Sequence, residues 1–417
     1  MTDSPLRHTL VTMRGRDPHE RGRSATPLEL LFDLTFVIAF GVAADELAHL
    51  VTDHHVTEGL VGFCFATFAV SWAWINFSWF ASAYDTDDWV YRITTMVQMV
   101  GVLVLALGLH DMFASLVEGE HLDNRVMVAG YVVMRVPMIA QWARAAGQNP
   151  ERREVCKIFI VTLAVSQAGW IALLFLDLSV GATFACVAVL ILVELVGPFV
   201  AEHVRGGTPW HPHHIAERYG LLVIIALGEG LLGTTAALGA LIDVTGWTLD
   251  AALLGLAGVA LPFGMWWIYF VIPSGDLLHA YRSRVFGWGY GHIPLFGAVV
   301  AVGAGLHAAA YYLEHHSALS ATATLLTIVI PLSVYYLCVF LLYAALTRTL
   351  DPLHYWILGG TAVIVAASIG LSAAGAPLPV SVLVLALSPW LTVVAYEIAG
   401  HRHNAEVLAS LPEVPHH

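Results

Sequence analysis

Hydrophobic runs recur along nearly the whole chain, and each has about the 20 residues that a helix needs to cross a bilayer. Read in windows of that length, the pattern predicts twelve spanning helices, at 28–50, 57–82, 88–110, 124–143, 155–177, 179–201, 214–240, 248–272, 283–310, 319–347, 353–374 and 378–399. No stretch is left for a separate soluble domain. The predicted fold is therefore an all-α polytopic membrane protein.

Composition agrees with the pattern. Of 417 residues, 58% are hydrophobic and 12% charged, about half the charged share of a soluble domain. Cys64, Cys156, Cys186 and Cys338 lie in or beside apolar runs without C-x-x-C spacing, so they read as small core residues. The first residues lack the basic-then-apolar order of a cleaved signal, and the first span is expected to stay as an anchor. Of the 18 Lys and Arg residues, all but Arg125 and Arg135 fall in the N-terminal arm or in alternate loops and adjoining helix ends. The positive-inside rule makes that side cytoplasmic, with both termini inside a bacterial inner membrane. The net charge of −13 comes from acids elsewhere and gives no ground for a nucleic-acid partner. The expected partners are the lipid bilayer and an unidentified small solute or ion.

The second half of the chain reads as a repeat of the first. "WAWINF" with "YDTDD" in one half parallels "MWWIYF" with Asp276 in the other. "VYR…LGLH" parallels "AYR…AGLH", Pro137 parallels Pro331, and Pro198 parallels Pro389, all in the same order. The expected organisation is a basic disordered arm at 1–27, six-helix halves at 28–201 and 214–399, and a cytoplasmic tail at 400–417. Six helices per half makes the repeats parallel, an arrangement in which transporters often bind substrate between the halves.

Ionisable residues inside the spans are the candidate chemistry. In "ELLFDLTFVIAFG", Glu29 and Asp33 share one helix face. Thr26, Pro27 and Glu29 form a capping box with proline at the first helical position, so Glu29 reads as a cap. Asp33 is about 6 Å deeper, past the turn that a cap serves. A central Asp costs about 3 kcal/mol on insertion scales, so it needs a cation or a polar cavity. Arg92 is the nearest cation by depth, with Arg218 a second partner. Arg135 lies about 16 Å into its span, with Glu194 or the glycine-flanked Glu229 as natural partners. Asn76 is expected to hydrogen-bond across helices. His292 is a candidate proton relay, against the reading of a hydrogen-bonded structural histidine. In "HPHHIAER", His211, His213 and His214 with Glu217 raise a metal site, weighed against ordinary interfacial histidines. "YDTDD" reads as a divalent-cation loop or, more simply, an Arg-paired turn. No phosphate-binding loop, dinucleotide fingerprint, serine elbow or zinc-protease motif is present.

The stretches "ELLFDLTFVIAFG", "WAWINF" followed by "YDTDD" and "YR", "HHIAERYGLLVIIALGEG", "MWWIYF" and "YGHIPLFGAVVAVGAG" together resemble the bacterial low temperature requirement protein A family. The resemblance singles out Glu29, Asp33, Asn76, Asp85, Asp88, Arg92, His214, Glu217, Arg218, Glu229 and His292. One departure is "GEG", where the family is expected to carry Ser after the Glu. The family name describes growth in the cold and implies no substrate, reaction or cofactor. A fainter likeness, through Phe32-Asp33, is to small two-repeat potassium channels, whose motif has a serine between these residue types. The leading expectation is a transporter-like protein with a buried charged site between its halves, involving Asp33, Arg135 and Glu229 and coupled to protons. The alternatives are an intramembrane enzyme, metal-assisted through His214 and Glu217, or a structural, sensory or channel-like protein.

Overall fold

The computed structural model describes residues 10–20, 22–349 and 352–411. These residues form helices and no strand, and among them twelve helical segments are long and apolar enough to cross a membrane. They are α1 Pro27–Thr52, α2 Val56–Tyr84, α3 Trp89–Glu118, α4 Arg125–Gln148, α5 Pro150–Leu173, α6 Val180–His203, α7 Pro212–Thr245, α8 Leu249–Ala280, α9 Arg282–Leu313, α10 Ala321–Thr347, α11 Pro352–Ala373 and α12 Leu378–Ala409. The protein is a polytopic helical membrane protein, as the hydrophobic runs predict. Short polar side chains set several of the helix starts. Asp88, Ser179, Thr248 and Ser320 each accept a hydrogen bond from the backbone N–H three residues on, satisfying a donor that the first turn leaves free.

The chain divides into two compact units. Unit 1 comprises Met1–Val42 and Ala69–Arg218. Within it, α3 and α4 cross where Gly101 meets Gly130: a Cβ on Gly130 would stand 2.4 Å from Leu105 N and 2.7 Å from Gly101 O. Backbones this close need glycine on both sides.

The N-terminal arm is also part of unit 1. The sequence reads as disordered here, but residues 10–20 and 22–26 run along the helix ends in an ordered path. Val11 N donates to Asp88 Oδ2 at 3.1 Å, Met13 N to Gln148 Oε1 at 2.7 Å and Arg16 N to Ala83 O at 2.8 Å. Asn149 Nδ2 donates to Arg14 O at 2.6 Å, and Arg23 Nη2 to Ala81 O at 3.0 Å. The basic composition hides this, because four of these five ties use backbone groups of the arm, and the fifth is the Arg23 side chain on a carbonyl of α2. Residues 1–9 lie outside the described residues.

Unit 2 comprises Ala43–Phe68 and Tyr219–His417. Tyr335 OH of α10 donates to Met265 O of α8 at 2.5 Å, and Trp390 Nε1 of α12 donates to Ala260 O of α8 at 3.1 Å. The predicted tail is helical from His401 to Ala409, where Asn404 Nδ2 donates to Val271 O at 3.0 Å. The Gly101–Gly130 crossing gives a first expectation: Gly130→Val forces α3 and α4 apart. The cost should be about 1–3 kcal/mol, read as a lower melting temperature in detergent, while exposed Gly147→Ala leaves it unchanged.

Candidate functional site

Two helical pairs of unit 1 face each other, each with its members one turn apart. Glu29 and Asp33 come from α1, and His214 and Arg218 from the start of α7. All four side chains are 0% exposed. Arg218 Nη1 donates to Glu29 Oε1 at 2.7 Å, while Arg218 Nη2 and Nε donate to Asp33 at 2.5 and 3.3 Å. His214 Nε2 lies 3.1 Å from Glu29 Oε1. Trp74 Nε1 of α2 donates to Asp33 Oδ1 at 2.6 Å, and the Arg218 guanidinium lies 5.6 Å from the Trp74 ring centre. A planar fork reaching two carboxylates is the geometry that suits arginine over lysine.

Glu29 does two jobs. Its Oε2 accepts from Thr26 N at 2.7 Å, and its own N–H donates to Thr26 Oγ1 at 3.3 Å, completing the capping box. Its other oxygen takes the Arg218 guanidinium and faces His214 Nε2. The cap reading is therefore right but incomplete. Asp33 pairs with Arg218 and not with Arg92, whose Nε and Nη2 reach back to Asp87 at 2.8 and 2.7 Å on an exposed turn. Depth in the bilayer brought Arg92 to Asp33 in the sequence reading, but the side chain points the other way along its helix.

The histidine cluster is also corrected. His211 Nε2 lies 2.8 Å from Glu20 O, which can only accept, so Nε2 carries the proton and Nδ1 accepts from His214 N at 3.2 Å. His211 is thus the N-terminal cap of α7, and burial holds it below its ordinary pKa. His213 and Glu217 are exposed, with Glu217 Oε2 accepting from Ala25 N at 3.2 Å. Among the described residues no three His, Cys, Asp or Glu side chains are grouped to hold a metal. The metal reading of His211, His213, His214 and Glu217 therefore finds no donor set.

Arg135 is 3% exposed, and its Nη2 donates to Glu194 Oε2 at 2.8 Å; Trp170 Nε1 fills the other oxygen at 2.9 Å. The Tyr131 ring lies 5.0 Å from the guanidinium. This is a balanced pair with each group partnered. Asn76 Nδ2 donates to Trp72 O of its own helix at 2.8 Å, not across helices. In unit 2, His292 Nδ1 lies 2.7 Å from Trp288 O and Nε2 3.0 Å from Tyr269 OH. The carbonyl fixes the proton on Nδ1, so His292 is a satisfied core histidine. Glu229, also in unit 2, is 2% exposed and has no ion-pair partner among the described residues.

The "YDTDD" turn is Arg-paired. Asp88 caps α3 by accepting from Tyr91 N at 3.0 Å, and takes Val11 N and both terminal nitrogens of Arg144 besides. Burial works against its ionisation, but these donors hold its carboxyl down at about 2. Asp85 differs. It is buried, with Oδ2 unpartnered and Arg16 Nη1 no nearer than 3.9 Å. Burial first, then the charge of Glu29, pushes its carboxyl up to about 6. An unfolded Asp titrates near 3.9, so the folded protein holds the extra proton between about 4 and 6, and stability falls as pH rises through that window.

Two outcomes follow. Asp85→Asn should leave the melting temperature unchanged at about pH 4, where Asp85 is already neutral, and raise it by a few degrees at about pH 8. Arg218→Gln strands two buried carboxylates and should cost about 3–5 kcal/mol, seen as a collapse of folded, monodisperse protein in detergent.

Comparison with known proteins covers most of these residues. The sequence profile of the family described as bacterial low temperature requirement A protein (LtrA) matches residues 24–389. An uncharacterized protein of Rhizobium meliloti (strain 1021) is 26% identical over 295 residues, spanning 66% of this chain and 67% of that protein. No solved structure matches. The profile match takes in α1 through α11 and runs into α12, together with the Glu29, Asp33, His214 and Arg218 cluster. The chain belongs to the bacterial low temperature requirement A family.

Proposed function

We propose that the protein is a proton-coupled transporter of a small solute or ion, and that the Glu29, Asp33, His214 and Arg218 cluster is its working part. The observation that carries this reading is a charge count. Two carboxylates meet one guanidinium where all are fully buried, so with both acids ionised the cluster holds one negative charge in excess. Unbalanced charge is costly away from water, and a proton is the smallest ligand that removes it. His214 is placed to carry that proton, with Nε2 on Glu29 and Nδ1 unpartnered. The surrounding charges are Arg23, Asp85 and Glu217 in the arm, the loop and the head of α7, and Tyr91 on α3 is the remaining titratable neighbour.

In this reading, the state of the proton sets how tightly Arg218 holds α1 to α7. A proton on Asp33 weakens its bonds to Arg218, and a proton on His214 competes with Arg218 for Glu29. Either change loosens the join between the two helices, which is the step a transporter needs to alternate access. The distribution of basic residues supports a bacterial inner-membrane setting with both termini cytoplasmic, and the ordered motif matches support two parallel halves, 28–201 and 214–399. The Arg135–Glu194 pair is balanced and serves as a structural lock.

A pH jump on proteoliposomes adsorbed to a capacitive electrode reads proton binding directly, without a known solute. The wild type should give a transient charge movement, and Asp33→Asn and His214→Gln should each reduce it at least several-fold while keeping a wild-type elution profile. Undiminished charge movement in both folded variants would make the cluster a fixed join between helices.

A further inference from the structure

Glu229 sits in unit 2, between Gly228 and Gly230 on α7. We infer that it is a second proton-binding site, separate from the Arg218 cluster, which holds a neutral carboxylic acid and exchanges its proton along a polar line through His307, Tyr311 and Asp45.

The side chain is 2% exposed, its Oε1 has no hydrogen-bond partner, and no Lys, Arg or His pairs with it among the described residues. An ionised carboxylate in such surroundings loses its hydration and gains nothing in return. The neutral acid avoids that loss and keeps one O–H to donate.

The contacts around Glu229 lay out the path. Gly303 of α9 packs directly on it: a Cβ at position 303 would stand 2.7 Å from Glu229 Cβ. One turn further along α7, a Cβ on Gly233 would meet His307 Cδ2 at 3.2 Å. Glu229 and His307 thus lie on facing helices, one turn apart. Tyr311 follows His307 by another turn. Its hydroxyl donates to Asp45 Oδ1 at 2.9 Å, and its ring centre lies 4.7 Å from that of His49. Exposure rises in the same order: Glu229 is buried, His307 and Tyr311 are half-buried, and Asp45 and His49 are exposed. His307 and Tyr311 are about 6 Å apart along α9 and Glu229 is a turn from His307 on the facing helix, so in this inference bridging water completes those two steps, while Tyr311 meets Asp45 directly. Glu46 and Glu314 are the other charged groups acting on Tyr311, and both are acids.

The ligand is a proton and not a metal cation. Sodium or potassium needs several oxygens at once, and among the described residues no hydrogen-bonding group stands against Glu229 Oε1. The flanking Gly228 and Gly230 bring no side-chain oxygen to it.

Infrared difference spectroscopy on the full-length protein in lipid tests this. At neutral pH the wild type should show the carbonyl stretch of a protonated, buried carboxylic acid, and Glu229→Gln should lose that band while eluting as wild type. Dicyclohexylcarbodiimide, which attacks protonated carboxyls in lipid, should label the peptide carrying Glu229 in the wild type. His307→Gln and Tyr311→Phe should keep the band and slow its deuterium exchange several-fold. Neither a lost band nor a labelled peptide would show Glu229 to be ionised and overturn the site. Wild-type exchange rates in both line variants would overturn the path. Loss of the band on adding sodium or potassium at fixed pH would overturn the proton as ligand. Asp33→Asn should leave the Glu229 band intact, so failure here is separable from failure of the Arg218 cluster as a working site.

Discussion

One guanidinium between two carboxylates governs the first unit. Asp33 cannot stay ionised within a membrane helix without a cation, and Arg218 cannot be fully buried without acids to accept its donors. Each therefore requires the other, and meeting that requirement brings α1 and the head of α7 together. Other features follow from it. His211 caps α7 so that His214 and Arg218 start on the right face. Trp74 takes the lone pair of Asp33 that Arg218 leaves, and the cap at Thr26 orients Glu29. The arm then runs over the same helix ends, with Glu20 O on His211 and Glu217 on Ala25 N.

Much of this architecture is legible in the sequence, because the bilayer sets the scale. A helix must be about 20 residues long and apolar to cross it, so the twelve spans stand out from composition and run length alone. Pairing is a different matter. Depth along each span is a one-dimensional quantity, and it does not say which helices adjoin. That is why Arg92, at a suitable depth, looked like the partner of Asp33, when its side chain turns back to Asp87. A better signal was present. Glu29 and Asp33 are four apart, and so are His214 and Arg218, giving two complementary faces with matching spacing. The order of the arm is hidden for a related reason, since basic composition marks a side of the membrane and is silent about backbone hydrogen bonds. Trp74 could not be singled out from its neighbours, because "SWAWINFSWF" holds three tryptophans and only the fold decides which indole faces Asp33.

The buried polar groups differ most usefully in their charge balance. Arg135 and Glu194 cancel, and Trp170 fills the remaining acceptor. Every charge in that arrangement has its partner, so it suits a permanent role. The Arg218 cluster sets two carboxylates against one guanidinium, and Glu229 has no ion-pair partner among the described residues. In a low-dielectric interior an unmatched charge is the costly one. The unbalanced cluster gains from a proton but must spend some of its grip on Arg218 to accept it. The lone carboxyl gains most and loses no partner. In the proposed reading coupling falls to the cluster, because Arg218 there joins α7 to two carboxylates of α1 and a proton taken up would weaken that join.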